Sequence, residues 1–340
     1  PAAAGAGNNG AQSQANRDQR IQTDLGDLAA LSSLPDVVLG AHQRGRVRPA
    51  LQAVSDADYQ AFVALYTAAA SATGRGFLCK ALAAGSGLAD ITWLAGQMTG
   101  KDDNWLIDNL TLGDPNGVGN GVKQQWSMSC NASMTITLRG NYDPVFALRT
   151  RQADPNINAV NPNPGASAAP HLAAQESSML QSPYAGASHP GSRGHGGVAT
   201  ARNQAGGVGR WADDLLNNQS GATGMTYATT MNPSGAQAVT LLDNGLGQGM
   251  QVPCVIGNSP GAYTHYVLGM TRRASAAGGG HDYQFHNTWD GGTSWQTGAQ
   301  ITSQTMTLAL GTLITAVEVP TPAPAPAPAA AAAGGAGGTP

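Results

Sequence analysis

The chain predicts an α+β protein, with helices in its first half and an antiparallel sheet in its second. Three observations predict this. Between residues 55 and 112, apolar side chains recur at helical spacing behind capping residues. From residue 234 onward, short apolar runs alternate with glycine-rich turn signals. The two kinds of element are segregated along the chain, which argues against a parallel sheet built from strand–helix–strand units.

The elements follow in order. Residues 1–20 are Ala, Gly, Asn and Gln without periodicity and read as a disordered linker. A helical N-terminal region follows over 21–115. In it Ser55 caps a helix that carries Tyr59, Phe62, Val63 and Tyr66 on one face. Gly74 and Gly76 are expected to break that run before a short helix from Phe77 to Ala84. Leu88 to Met98 and Asp102 to Leu110 supply two more helices, and Asp114-Pro115-Asn116-Gly117 is a turn. The next region, 116–319, contains a long loop insertion over 151–209, interrupted by one helix from His171 to Leu180. Arg210 to Asn218 is a helix with Trp211 and Leu215 on one side, and Ser234 with Gln237 opens another that ends at Gly245. Strands are expected over Met250–Ile256, Tyr263–Thr271, Asp282–His286, Ile301–Leu308 and Leu313–Val319. The Pro/Ala/Gly-rich stretch 320–340 reads as an extended, semi-rigid tail.

Composition excludes several classes. Charged residues make up 11% of the chain, the net charge is -3, and no Lys/Arg run exists, so a nucleic-acid partner is not expected. No apolar run approaches the roughly 18 residues of a membrane span. No secretory leader is visible and the numbered chain does not begin with Met, so it reads as a piece of a longer protein, cytoplasmic or exported. Three cysteines without a CxxC give neither a disulfide framework nor a thiolate zinc site, and no cofactor is expected.

One cysteine has unusual company. Cys130 closes the stretch Gln124-Gln125-Trp126-Ser127-Met128-Ser129-Cys130. A thiol titrates near about 8.5, so a nucleophilic one needs an imidazole, a helix N-terminus, or both. Cys130 opens a candidate helix, Asn131 to Arg139, closed by Gly140, whose first amides favour a thiolate. The run Met134-Thr135-Ile136-Thr137-Leu138, however, alternates like a strand, and both readings stand at this point. A glutamine amide six residues ahead of the thiol can donate to an oxyanion together with the Cys130 amide; Gln124 has that offset and Gln125 is the alternative.

His265 begins an apolar run after the turn Asn258-Ser259-Pro260-Gly261, where a base can be presented to a cleft, and is expected to share a strand face with Tyr263 and Val267. Asn287, in Asn287-Thr288-Trp289, can accept from the imidazole while Trp289 excludes water; Asp290 is the competing third member. A rival metal site from His281, Asp282 and His286 requires a distorted strand, because 281 and 286 fall on opposite faces. Gly117-Val118-Gly119-Asn120-Gly121 lacks the preceding strand of a phosphate loop. His171, His189 and His195 read as solvated, and Cys79 and Cys254 as core.

The order Gln124, Cys130, then His265 about 135 residues on, then Asn287 resembles the papain-like cysteine peptidases. The second half is similar to their bacteriocin-processing (double-glycine) branch, through Gly249-Met250-Gln251-Val252-Pro253-Cys254-Val255-Ile256, His265-Tyr266-Val267-Leu268-Gly269 and Asn287-Thr288-Trp289. The likeness covers residues 120–135 and 234–296. It departs at Asn131-Ala132 after the thiol, at Asn287 for the branch's usual Asp, and at Thr288 for its Pro.

The resemblance implies a papain-like fold for 116–319, with Cys130 as nucleophile, His265 as base and acid, Asn287 as orienter and Gln124 as oxyanion donor. It implies a thiol hydrolase acting on a peptide or protein, with a deamidase or transglutaminase-type acyltransferase as the alternative. A non-catalytic cargo or structural module keeping the fold is the second hypothesis. The Ala/Gly/Pro-rich ends suggest a bacterial effector or toxin module handled by a delivery or secretion apparatus.

Overall fold

The structure, a computed structural model, describes residues 16–25, 28–125, 129–159, 169–181, 208–276 and 278–323. Its first part is helical. Helix α1 covers residues 16–24 and is followed by a 3-10 turn, Leu28–Ser33. Then come α2 (Asp36–Leu39), α3 (Ala41–Ala53), α4 (Asp56–Ala68), α5 (Ala72–Ala83), α6 (Leu88–Met98) and α7 (Asp103–Asn109). Ser55 caps α4 by accepting from Asp58 N, and Asp102 caps α7 by accepting from Trp105 N. One core joins Ile21, Leu39, Leu51, Phe62, Phe77, Leu94 and Leu106.

Two expectations fail in this part. Residues 16–20 are helical instead of linker, because Ile21 and Leu25 bury in that core and Arg17 pairs with Asp56 at 2.7 Å; residues 1–15 lie outside the described ones. Gly74 and Gly76 lie inside α5 and do not break it. A Cβ at Gly76 would stand 2.6 Å from Val38 Cγ1, so this glycine lets α5 approach α2 closely.

Three helices lead into the second part: α8 (Cys130–Tyr142), α9 (Pro144–Ala153) and α10 (Pro170–Gln181). After them come α11 (Val208–Asn217) and α12 (Ser220–Thr223), then β1 (Met225–Met231) and α13 (Gly235–Leu246). The chain closes with β2 (Val252–Gly257), β3 (His265–Ala274), β4 (His281–Asn287), β5 (Gly292–Thr297), α14 (Gly298–Ser303) and β6 (Leu313–Pro322). The six strands form one antiparallel sheet in the order β1-β6-β2-β3-β4-β5.

Helices cover the sheet on both sides, so its central strands read as continuous apolar runs. Tyr266, Leu268, Val255 and Ala316 pack with Met134 and Leu138 of α8. Val252, Cys254, Val267 and Phe285 pack on the other side with Ala238 and Leu242 of α13. Helix α10 closes the remaining side of α8, with Leu172 against Ile136 and Ala147. No helix among the described residues is long and apolar enough to cross a membrane.

Here too the sequence misleads in places. Residues 301–308 are the end of α14 and a loop, since Thr297 and Gln300 make a capping box that starts a helix. Strands β1 and β5 go unforeseen because threonine, serine, alanine and glycine fill most of their exposed and half-buried positions. The tail does not begin at 320: Pro320 and Pro322 finish β6 against Tyr227 and Met225, beyond the span that pairs with β2, where a missing N–H costs nothing. The 151–209 excursion begins inside α9 and holds α10 as expected; 160–168 and 182–207 lie outside the described residues.

Candidate functional site

Cys130 is the first residue of α8, 4% exposed. Helix, not strand, is the outcome for the run after it. Met134, Ile136 and Leu138 are buried on several sides at once, which removes the alternation a strand needs, and the threonine hydroxyls are satisfied within the helix. Thr135 Oγ1 donates to Asn131 O and Thr137 Oγ1 to Ser133 O, each at 2.9 Å. Gly140 does not close the helix; it packs on Leu112, and α8 continues to Tyr142. Cys130 therefore stands at the N-terminus of a 13-residue helix, the end where a negative charge is favoured. Cys130 shares its buried cluster with Tyr266, the residue after His265.

His265 is the first residue of β3 and 1% exposed. The turn before it is closed by Ala262 N donating to Ser259 O at 3.0 Å and Thr264 N to Ile256 O at 2.9 Å, so the strand starts opposite Ile256. Tyr263 stands outside the strand, bonded to Asn232, and does not share a β3 face with His265 as alternation suggests.

Asn287 ends the neighbouring β4, paired with Val267. Its Oδ1 lies 2.7 Å from His265 Nε2 and accepts the Trp289 N–H at 2.9 Å. Trp289 N can only donate, so the Asn287 atom between them is the oxygen and His265 Nε2 carries the proton. That leaves Nδ1 as the basic nitrogen of the neutral ring. The Trp289 ring stands edge-on to the imidazole, centroids 6.4 Å apart, and is itself 48% exposed. Asp290 does not contribute: it is exposed, and its Oδ1 accepts the Gly292 amide.

Gln124 is brought to the same end of the sheet, with its N–H donating to Thr288 O at 2.7 Å. The Gln125 amide is spent locally, Nε2 donating to Lys123 O at 2.7 Å. The approach to Gln124 is pinned by Asp114, whose carboxylate accepts from Val118 N at 2.8 Å and Gly119 N at 2.9 Å. The glycine-rich loop thus turns its amides toward its own carboxylate. Gly121 passes so close to Gly291 O and His286 that a Cβ there would stand 2.4 Å and 2.6 Å from them.

Of two further residues near the site, the sequence reading misses Glu176 and offers His286 only in a metal set with His281 and Asp282. Glu176 of α10 is fully buried beside the start of α8, and burial pushes its carboxyl up to about 8. Its signal is a charge at helical spacing from Leu172 and Ala173, on the face of α10 that is buried. His286 is fully buried behind Asn287, and burial pulls its imidazole down to about 4.

Other candidates separate from the site. Cys79 and Cys254 are buried core thiols, Cys79 pushed up to about 12 by burial. His281 Nδ1 pairs with Asp243 at 2.9 Å, and among the described residues no group of three His, Cys, Asp or Glu could hold a metal. His171 is exposed, whereas His189, His195, Trp126 and the Trp211 side chain lie outside what is described. A cleft of about 560 Å³ beside Arg139, Asp143, Arg149 and Asp90 lies toward the far end of α8 from Cys130, and its charges pair off at Arg139–Asp143 and Arg149–Asp90.

No protein-family model matches the chain, and no curated protein or solved structure matches it significantly.

Proposed function

We propose that the chain is a thiol hydrolase of papain-like fold and chemistry, with a peptide or protein amide as substrate. The observation that carries this reading is the His265–Asn287 bond, in which the Trp289 amide fixes the shared oxygen and hence the proton on Nε2. A neutral imidazole held in that tautomer is what a thiol base requires.

In the proposed reaction His265 Nδ1 takes the Cys130 proton, and the sulfur attacks the acyl carbon. The Cys130 N–H and the Gln124 side-chain amide stabilise the tetrahedral oxyanion. The carbon–nitrogen bond breaks as His265 returns the proton to the leaving amine. Water, deprotonated by the same imidazole, then hydrolyses the thioester.

Labelling tests the reading. Iodoacetamide or an epoxide thiol inhibitor at pH 6 is expected to modify Cys130 ahead of Cys79 and Cys254, and His265→Ala to abolish the preference. Labelling of Cys130 no faster than the two core cysteines would sink it.

A further inference from the structure

The proposed reaction uses Cys130, His265, Asn287 and Gln124, yet a fully buried carboxyl group beside them has no part in it. Glu176 comes from α10, whose start is fixed by Asp154 Oδ2 accepting the Leu172 N–H at 2.5 Å. Leu172 and Ala173 of α10 and Ala169 just before it are buried, so Glu176 is delivered among apolar neighbours to the first turn of α8. Placing a carboxyl there is costly unless its oxygens are fully used.

They are used on the two ends of one short segment. Both oxygens stand 3.1 Å from the Gln125 N–H, Oε1 also accepts from Ser133 Oγ at 2.7 Å, and the Ser129 side chain is a further partner. Gln125 follows the proposed oxyanion donor, Ser129 precedes the proposed nucleophile, and Ser133 lies one helical turn beyond it.

We infer that Glu176 is a positioning residue of the thiol centre, a single buried carboxyl that ties the backbone after Gln124 to the first turn of α8 and so sets where the Gln124 amide stands relative to Cys130. This inference rests on the proposed function. The Glu176 contacts join a loop to the start of one helix, where Ser129 is the N-cap residue of α8. Cys130 is also a titratable neighbour of Glu176, its charge adding to burial's upward push on the carboxyl as a smaller influence. A carboxylate and a thiolate side by side each oppose the other's ionisation. With burial holding Glu176 up to about 8, the group is neutral through the acidic and neutral range and gains its charge only in mild alkali. There the charge makes the thiolate harder to form.

The test is the pH profile of Cys130 carboxymethylation by iodoacetamide in the full chain, followed from pH 5 to 10 by mass spectrometry. The wild type is expected to show a step near pH 8 beyond the thiol's own titration, and Glu176→Gln, which keeps the shape and cannot ionise, to lose that step. Glu176→Ala is expected to slow labelling on the order of a hundredfold, the scale of misplacing reacting groups by about 1 Å. Should the alanine variant not fold, the glutamine profile alone decides. Wild-type and Glu176→Gln profiles that superimpose overturn the inference while leaving the thiol centre standing. Wild-type Cys130 reacting no faster than Cys79 and Cys254, with no effect of His265→Ala, overturns the proposed function and this inference with it.

Discussion

Asn287 Oδ1 receives two donors at once, the imidazole of His265 at 2.7 Å and the Trp289 backbone amide at 2.9 Å. The second bond makes the first unambiguous, because an amide that must donate assigns the oxygen. Strand β4 ends at Asn287 and turns immediately, so the loop that orients the asparagine also carries the tryptophan whose ring stands edge-on to the imidazole.

The first prediction concerns that oxygen. Asn287→Ala is expected to lower the rate of Cys130 labelling, and of any amide hydrolysis found, by at least about tenfold and by no more than the roughly 10²–10⁴ that a positioned base contributes. Asn287→Asp keeps an acceptor and is expected to retain most of the rate. Equal rates in wild type and the alanine variant would remove Asn287 from the mechanism.

The second separates two adjacent glutamines. Gln124→Ala should cost roughly 10²–10³ in kcat once a substrate is in hand, the usual scale for one lost oxyanion donor. Gln125→Ala should cost far less, because its side chain is committed to Lys123 O. Steady-state kinetics of both variants checks this, and the reverse order would move the donor to Gln125.

The third is a stability profile. His286 is neutral in the fold down to about pH 4, while the unfolded chain protonates near 6.5. The unfolded state therefore binds the extra proton in that window, and stability falls as pH drops from 6.5 toward 4, by roughly 3 kcal/mol from this residue. Glu176 has the opposite sign. Its raised value means its contribution is complete below about 4.5 and is lost as pH rises through about 8. Between about 4.5 and 6.5 the two slopes oppose each other. Denaturant melts of His286→Gln should show a shallower acid limb, and those of Glu176→Gln a shallower fall from neutral to pH 8. An unchanged acid limb in His286→Gln would rule out His286 as its source.

The fourth tests the approach loop. Gly121→Ala places a methyl against Gly291 O, His286 and Asp114 at under 3 Å. Overpacking of this kind typically costs 1–3 kcal/mol. Because Gln124 hangs from Thr288 just beyond this contact, the variant should also label more slowly at Cys130. A destabilised protein with a normal labelling rate would show that the loop matters to stability alone.

Much of this was legible in the chain because it is written in local terms. Ser55, Asp102 and Ser234 announce helix starts by the hydrogen bonds their side chains accept from amides three residues on. The turn before His265 and the end of β4 at Asn287 follow from glycine and the short apolar runs around them. Gly76 looks like a helix breaker in the sequence because its reason is a neighbouring helix and not its own backbone. The run after Cys130 was ambiguous because alternation marks a strand only when one face meets solvent, and α8 has almost none that does.

The sequence by itself determined the segregation of helices and strands and the chain order of Gln124, Cys130, His265 and Asn287. These depend on periodicity, capping and turn chemistry, which act over a few residues. Only the tertiary structure decided that Asn287 and not Asp290 holds the imidazole, that Gln125 is occupied by Lys123, and that Glu176 lies buried beside the first turn of α8. Those outcomes depend on which backbone groups from distant elements arrive within about 3 Å of one another. Local sequence spacing carries no record of that meeting.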